Sequence, residues 1–237
     1  MDPTRQRTLR ENTPWGELAL QLRSGPEPSA ALILDGMFLM DSESGVSERA
    51  LAERGLDLLH RGRLGNTARG AAPWRVLLGG IGLGITLRAL LAHPEVGFVQ
   101  VVEIFPALLE WNRTHLGFLN GHSLDDPRVS CHAGDLLGFL ADPLTFDLLL
   151  LDIDNGPTWL SLPSNASLYT AGGLDLIGAS LAPGSVAVFW ATERSPAFED
   201  CLSSLPWGQW HREEVSWRPA RGGREMTDVL YALIRKG

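Results

Sequence analysis

"RVLLGGIGLGITLRALLAHPEVGFVQVVEIFP", residues Arg75 to Pro106, joins an apolar run, alternate glycines, a helical pattern and a second apolar run ending in an acid. The glycines are Gly80, Gly82 and Gly84, with Gly79 just before them; the acid, Glu103, stands nineteen residues beyond Gly84. Continuous apolar runs such as Val76–Leu78 and Phe98–Val102 are expected of strands covered on both faces. A bare turn between such a strand and a helix sits at the carboxyl end of the strand, where open α/β sheets bind ligands in a crevice. Glycines there let the backbone approach a ligand closely, and a carboxylate ending the second strand can accept both hydroxyls of a ribose. The dinucleotide spacing G-x-G-x-x-G would put glycine at position 85, which is Ile85. The spacing therefore predicts a compact nucleoside without a pyrophosphate, such as S-adenosylmethionine.

The same rhythm continues outward. Val129–Cys131, Phe146–Leu151 and Val186–Phe189 are further apolar runs, separated by helical patterns at Ile85–Ala92, Pro106–Leu116, Leu136–Leu140 and Leu174–Leu181. "VLYALIRK" closes the chain as one more strand, after a weaker one near Val215–Trp217. This alternation predicts a mostly parallel, Rossmann-like α/β sheet over residues 48–237. Residues 1–47 read differently. "WGELALQLR" alternates apolar and polar, and "ALILDGMFLMDS" is two apolar runs hinged at Asp35-Gly36, a hairpin signal. A small antiparallel unit of about three strands is expected there. "SERALAERGLDLLHRG" then turns helical, and "RLGNTARGAAP" is a polar connector.

Composition narrows the classes. The 237 residues are 44% hydrophobic, enough to bury a core. A net charge of −8 has the wrong sign for a general nucleic-acid binder, and Arg218, Arg221 and Arg224 read as a solvated loop. Cys131 and Cys201 form no C-x-x-C and are expected to be small buried hydrophobes. No stretch has the length of a membrane span, the N-terminus lacks a signal-peptide pattern, and the cytoplasm is the default expectation. The six histidines show no metal spacing, so no metal is expected.

Two downstream stretches add acids to the crevice. In "VSCHAGDLLGFL", Gly134-Asp135 follows the third strand, where Asp135 can accept the adenine amino group or cap its helix. In "FDLLLLDIDNGPTWLSLPSNASLYTAGG" a strongly apolar strand ends in Asp152 and Asp154, followed by the turn Asn155-Gly156-Pro157. Carboxylates at that edge can hold an amine nucleophile and take its proton, or simply cap a turn. The expected nucleoside contacts are Gly79, Gly80, Gly82, Gly84, Glu103, Ile104, Gly134, Asp135, Leu136 and Asp152. Asp152 and Asp154 are the catalytic candidates.

These stretches resemble the spermidine synthase-like branch of the class I S-adenosylmethionine-dependent methyltransferase fold. "VEIFP" (Val102–Pro106) resembles that family's "VEIDP", and "DPRVSCHAGDLLGFL" (Asp126–Leu140) its "DPRV…GDAFEFL". "DIDNGPTWLSLPSNASLY" (Asp152–Tyr169) resembles D-S-T-D-P-x-G-P-A-x-x-L-Y with shifted spacing, and "TPWGELAL" and "LILDG" are similar to the family's front end. The resemblance implies a seven-stranded sheet with an N-terminal β unit, and an acceptor site holding Glu48, Asp154, Asn155 and Tyr169. Two departures stand out. The family's first turn is G-G-G-D-G-G, its acid implied to hold the amine of decarboxylated S-adenosylmethionine, whereas this chain has "GGIGLG". The family's Tyr-His-Glu segment is "SGVSERALAERGLDLL" here, keeping Glu48 alone.

The leading expectation is thus a methyltransferase that uses full S-adenosylmethionine on a small-molecule acceptor. The alternative is aminopropyl transfer from decarboxylated S-adenosylmethionine, releasing methylthioadenosine, or a related amino-carboxypropyl transfer or cyclisation. A non-catalytic nucleoside-binding module is the reading from a different class. A homodimer or larger assembly is expected, because a small β unit leaves strand edges to cover.

Overall fold

The computed structural model describes residues 5–42, 45–64, 73–218 and 224–236. Four antiparallel strands come first: β1 (Gln6–Thr13), β2 (Gly16–Arg23), β3 (Ser29–Leu34) and β4 (Met37–Asp41), in that spatial order. The β3–β4 hairpin turns at Asp35 and Gly36, with φ of 48° and 79°. That pair of left-handed residues is what a two-residue hairpin with the right-handed strand twist requires. β1, "QRTLRENT", has no apolar alternation and is exposed along much of its length. It exists because each residue pairs with β2, from Gln6 opposite Arg23 to Thr13 opposite Gly16.

Helix α1 (Val46–Leu64) leads to the main sheet. Its strands are β5 (Trp74–Gly79), β6 (Val96–Glu103), β7 (Val129–Ala133), β8 (Phe146–Leu151), β9 (Leu181–Ala191), β10 (Gly208–Trp217) and β11 (Met226–Arg235). They lie in the order β10-β11-β9-β8-β5-β6-β7. β7, β6, β5, β8 and β9 run parallel, while β11 is antiparallel to both its neighbours. The expected mostly parallel seven-stranded sheet with a small antiparallel partner is therefore present. The connecting helices are α2 (Ile85–Leu91), α3 (Pro106–Thr114), α4 (Gly117–Asn120), α5 (Leu136–Leu140), α6 (Ala171–Ala179) and α7 (Pro196–Ser203).

Two apolar clusters flank this sheet. One joins Leu18, Leu20, Leu32 and Leu34 of the small sheet to Leu51, Leu59, Val76, Leu78, Leu83 and Leu87. Burial of these leucines, roughly 1.5–3 kcal/mol apiece, ties the small sheet to the main one. The other holds Leu149, Leu174, Phe189, Phe198 and Tyr231 on the opposite face. Cys131 and Cys201 are half-buried and free rather than sealed in the core. The connector expected around residues 65–72, and Arg221, lie outside the described residues; Arg218 pairs with Glu225. Among the described residues no helix is long and apolar enough to cross a membrane.

Candidate active site

β5 lies between β6 and β8, so the chain order reverses at β5 and a crevice opens at the carboxyl ends of these strands. The turn after β5 runs with positive φ at Gly80, Gly82 and Gly84 (80°, 50° and 80°). Glycine is needed for more than the dihedral. A Cβ on Gly80 would lie 2.2 Å from the Asp152 carbonyl oxygen, and one on Gly84 would lie 2.6 Å from Asn112 Oδ1 and 2.7 Å from Asn120 Cβ. The buried Asn112 fixes the turn further, donating from Nδ2 to the Gly82 carbonyl at 2.9 Å, and Asn120 donates to Asn112.

The turn forms one wall of a cleft open to solvent. Gly80, Gly82, Glu103, Ile104, Gly134, Asp135, Leu136 and Asp152 all border it. Gly79 and Gly84 do not: Gly79 packs against Leu136, Leu151 and Ile153, and Gly84 against the two asparagines. The cleft also takes Leu32, Leu39 and Met40 from the small sheet, and Ser161, Leu162, Asn165 and Leu168 from the segment after β8. The expected partition at residue 47 thus leaves part of the cleft wall in the first unit.

Glu103 is 5% exposed and its two oxygens accept from the Ile81 N–H at 3.0 Å and the Phe105 N–H at 2.9 Å. Burial raises its pKa, while these backbone donors oppose the rise. It braces the glycine turn as well as facing the cleft, and each oxygen keeps lone-pair capacity for a ribose hydroxyl. Asp135 caps α5, its Oδ2 accepting from the Gly138 N–H at 2.7 Å. The capping expectation for Asp135 is met, and the same residue borders the cleft.

Asp152 accepts from the Thr86 hydroxyl at 3.3 Å, at the start of α2. Burial, then the charge of Glu48, then those of Asp228 and Glu103, push its pKa up to about 7. Glu48 lies in the first turn of α1, bonded to the Ser47 hydroxyl at 2.9 Å. Asp228, on β11, is 3% exposed, accepts the Trp217 indole N–H at 2.6 Å and is also engaged by Ser47; burial raises its pKa, and so does Glu48. Among the described residues none of Glu48, Asp152, Asp154 and Asp228 pairs with an arginine or lysine.

Asp154 stands behind this cleft. Its Oδ1 accepts from the Ser161 N–H at 2.8 Å, from the Ser161 hydroxyl at 2.5 Å and from Asn165 Nδ2 at 3.0 Å, while Oδ2 is buried without a partner. Burial raises its pKa. Tyr169 packs on Phe198 and Phe189, and burial together with Asp154 and Asp152 drives its hydroxyl strongly toward the neutral form. Asn155 is held by its backbone, its carbonyl accepting from the Thr192 N–H and hydroxyl. Sequence reasoning missed Met40, Thr86, Asn112, Ser161, Asn165 and Asp228. No group of three or more His, Cys, Asp or Glu residues able to hold a metal occurs among the described residues.

The chain is similar to several known proteins. Polyamine aminopropyltransferase 2 of Pseudomonas aeruginosa is 34% identical over 128 residues, which are 52% of this chain and 35% of that protein. Polyamine aminopropyltransferase of Mycobacterium tuberculosis is 34% identical over 120 residues, 49% of this chain and 22% of the other. Polyamine aminopropyltransferase 1 of Streptomyces coelicolor is 38% identical over 117 residues, 48% and 21% of the two chains. The chain thus spans about a third or less of these relatives. The fold matches the crystal structure of spermidine synthase from Thermotoga maritima, with a TM-score of 0.67 and 19% identity over 97% of this chain and 72% of the other. The spermine/spermidine synthase domain matches residues 20–202. The chain belongs to the spermine/spermidine synthase domain family.

Proposed function

We propose that this protein is an aminopropyltransferase acting on an amine, with decarboxylated S-adenosylmethionine as donor. The observation that carries the reading is the set of carboxyl groups around Asp152, none of them paired with a cation among the described residues. Clustered buried carboxyls repel one another, and an ammonium group relieves both the repulsion and the desolvation. A methyl acceptor without positive charge would use none of this. The names of the relatives support the same choice.

The chemistry needs few groups. Glu103 receives the ribose hydroxyls, and Ile104, Leu136 and Asp135 flank the base. Asp152, with a pKa near 7, takes a proton from the acceptor ammonium, leaving a neutral amine. The amine nitrogen then attacks the aminopropyl carbon bound to sulfur. The new C–N bond forms as the C–S bond breaks, the electron pair stays on sulfur, and the positive charge passes from sulfonium to the new secondary ammonium. Methylthioadenosine leaves as a neutral thioether. Positioning and exclusion of water supply the rate, since no further covalent step is required. Asp154 and Tyr169 support the acceptor from behind Asp152.

The test is turnover with defined substrates. The protein is incubated with putrescine and either decarboxylated or full S-adenosylmethionine. Methylthioadenosine from the decarboxylated donor, absent in Asp152→Asn, is expected. S-adenosylhomocysteine from the full donor would overturn the reading in favour of methyl transfer, and no turnover with either donor would favour a binding module.

A further inference from the structure

Asp152 is held by the glycine turn and the helix that follows it. Its N–H donates to the Gly79 carbonyl at 2.9 Å, and its own carbonyl oxygen lies where a Cβ on Gly80 would come within 2.2 Å. Its side chain is held by Thr86 of α2, 2% exposed, whose hydroxyl donates to Oδ2 at 3.3 Å. A helical threonine commonly turns its hydroxyl back to the carbonyl four residues earlier. For Thr86 that carbonyl belongs to Gly82, and Asn112 Nδ2 already donates to it at 2.9 Å. The Thr86 hydroxyl reaches out to Asp152 instead. Among the described residues it is the one side-chain donor to that carboxyl, and none is bonded to Oδ1. Asp152 borders the cleft, so this oxygen is the one left for a ligand.

We propose that Thr86 is the positioning residue for the base: its hydroxyl holds Oδ2 of Asp152, so that Oδ1 takes the proton of the acceptor ammonium. The inference rests on the proposed aminopropyl reading and adds which oxygen acts and what aims it. In that step an N–H bond of the ammonium breaks, its electron pair stays on nitrogen, and an O–H bond forms at Oδ1. Asp152 becomes neutral and Thr86 keeps its own proton. A donated hydrogen bond favours the ionised carboxyl, the form able to act as a base. The other influences on this carboxyl work the opposite way: burial, Glu48 of α1, Asp228 of β11 and Glu103 at the end of β6 all favour the protonated form. Tyr169, from the segment after β8, faces it with a hydroxyl kept neutral by burial and by Asp154 and Asp152. Thr86 thus opposes three acids and the burial of the site without adding a charge of its own.

The pH dependence of kcat/KM tests this, measured on the full chain with decarboxylated S-adenosylmethionine and putrescine. Thr86→Val keeps the branched shape in its buried place and removes the donor; Thr86→Ala removes it with less bulk. In both, Asp152 should keep its proton to higher pH, so the acid limb of the profile moves up. The loss against wild type should be about threefold to tenfold greater at pH 6 than at pH 9, the scale of one hydrogen bond. Thr86→Ser keeps a hydroxyl and should restore the wild-type limb. Titration of putrescine itself is common to all the proteins and cancels in the ratio of variant to wild type. A merely structural role would lower kcat/KM by one factor at every pH. A loss of the same size across the profile, complete loss included, or a limb that Thr86→Ser does not restore, overturns the assignment of Thr86 alone. No turnover by the wild type overturns the proposed function, and this inference with it.

Discussion

Replacing Asp152 by Asn should stabilise the ligand-free protein, and only above acidic pH. In the folded state the carboxyl holds its proton to about pH 7, because burial and the charges of Glu48, Asp228 and Glu103 oppose ionisation. In the unfolded chain the same group ionises near 3.8. Between these values the native state binds more protons than the unfolded one, so stability falls as pH rises, and the loss is complete above about pH 7. The interval of about three pH units, at about 1.4 kcal/mol each, caps the penalty at about 4 kcal/mol. Asp152 borders the open cleft, where water screens part of it, so about 2 kcal/mol is the working value. Asparagine keeps a partner for the Thr86 hydroxyl and carries no charge at any pH.

The assay is thermal unfolding of both proteins, free of ligand, at pH 3.5 and pH 8. At pH 3.5 the two should unfold within about a degree of each other, because the wild-type carboxyl is then largely protonated in the folded and the unfolded state alike. At pH 8 the variant should unfold higher by about 4–8 °C, for a chain of this size. All other titrating groups are shared, so their contributions cancel in the difference. A gap of the same size at both pH values, or a variant less stable at pH 8, would refute the argument that Asp152 is a strained acid. The same substitution should abolish transfer, since stability gained by removing a strained functional group is gained at the expense of activity.

Glu103→Gln should weaken methylthioadenosine binding by about tenfold to a hundredfold, because a charge-assisted bond to each ribose hydroxyl becomes a neutral one; unchanged affinity by calorimetry would remove Glu103 from the ribose site. Glu103→Ala should in addition lower the melting temperature, since the Ile81 and Phe105 N–H groups lose their shared acceptor; a variant as stable as wild type would show that the brace carries no weight. Gly80→Ala should destabilise the fold and abolish nucleoside binding together, because its Cβ would lie 2.2 Å from the Asp152 carbonyl oxygen at φ 80°; a stable variant that still binds would mean that the turn relaxes freely.

How much of this could be read from the sequence depended on whether burial left a pattern. β8 runs from Phe146 to Leu151 and α5 from Leu136 to Leu140, with the bounds their residues predict. A strand sealed on both faces is a continuous apolar run, and a helix opening on Asp135 carries its own cap. β1 was illegible because an edge strand exposed along much of its length has no periodicity, so a three-stranded expectation became four strands. α6 begins at Ala171, three residues before the expected Leu174, because its first turn is "AGG", poor in helix propensity but capped by the Thr170 hydroxyl. The expected end of that helix, Leu181, instead opens β9. Glu103, Asp135 and Asp152 were legible because each closes a strand at the edge where ligands bind. Asp228 was not, for it precedes its apolar run, and only the neighbour order β11-β9-β8 brings it near Asp152. Met40 was invisible for the opposite reason, since an apolar residue in an apolar strand reads as core.

One missing acid weighs toward methyl transfer and several retained acids weigh toward an amine substrate. The glycine turn lacks a carboxylate, and from the sequence that loss argues against a donor bearing a free ammonium. The three-dimensional arrangement changes the balance. At Gly82 the end of the Met40 side chain takes the place beside the turn, 2.8 Å from where a Cβ would stand. Meanwhile Glu48 from α1, Asp152 from the end of β8 and Asp228 from β11 converge from elements far apart in the chain; Glu48 raises the pKa of both aspartates, and Asp228 raises that of Asp152. A fold that only needed to hold a neutral acceptor would gain stability by replacing Asp152. Their mutual repulsion has a chemical use when the ligand brings positive charge, and both substrates of aminopropyl transfer do: the donor as a sulfonium with an ammonium arm, the acceptor as an amine that must shed a proton before it attacks.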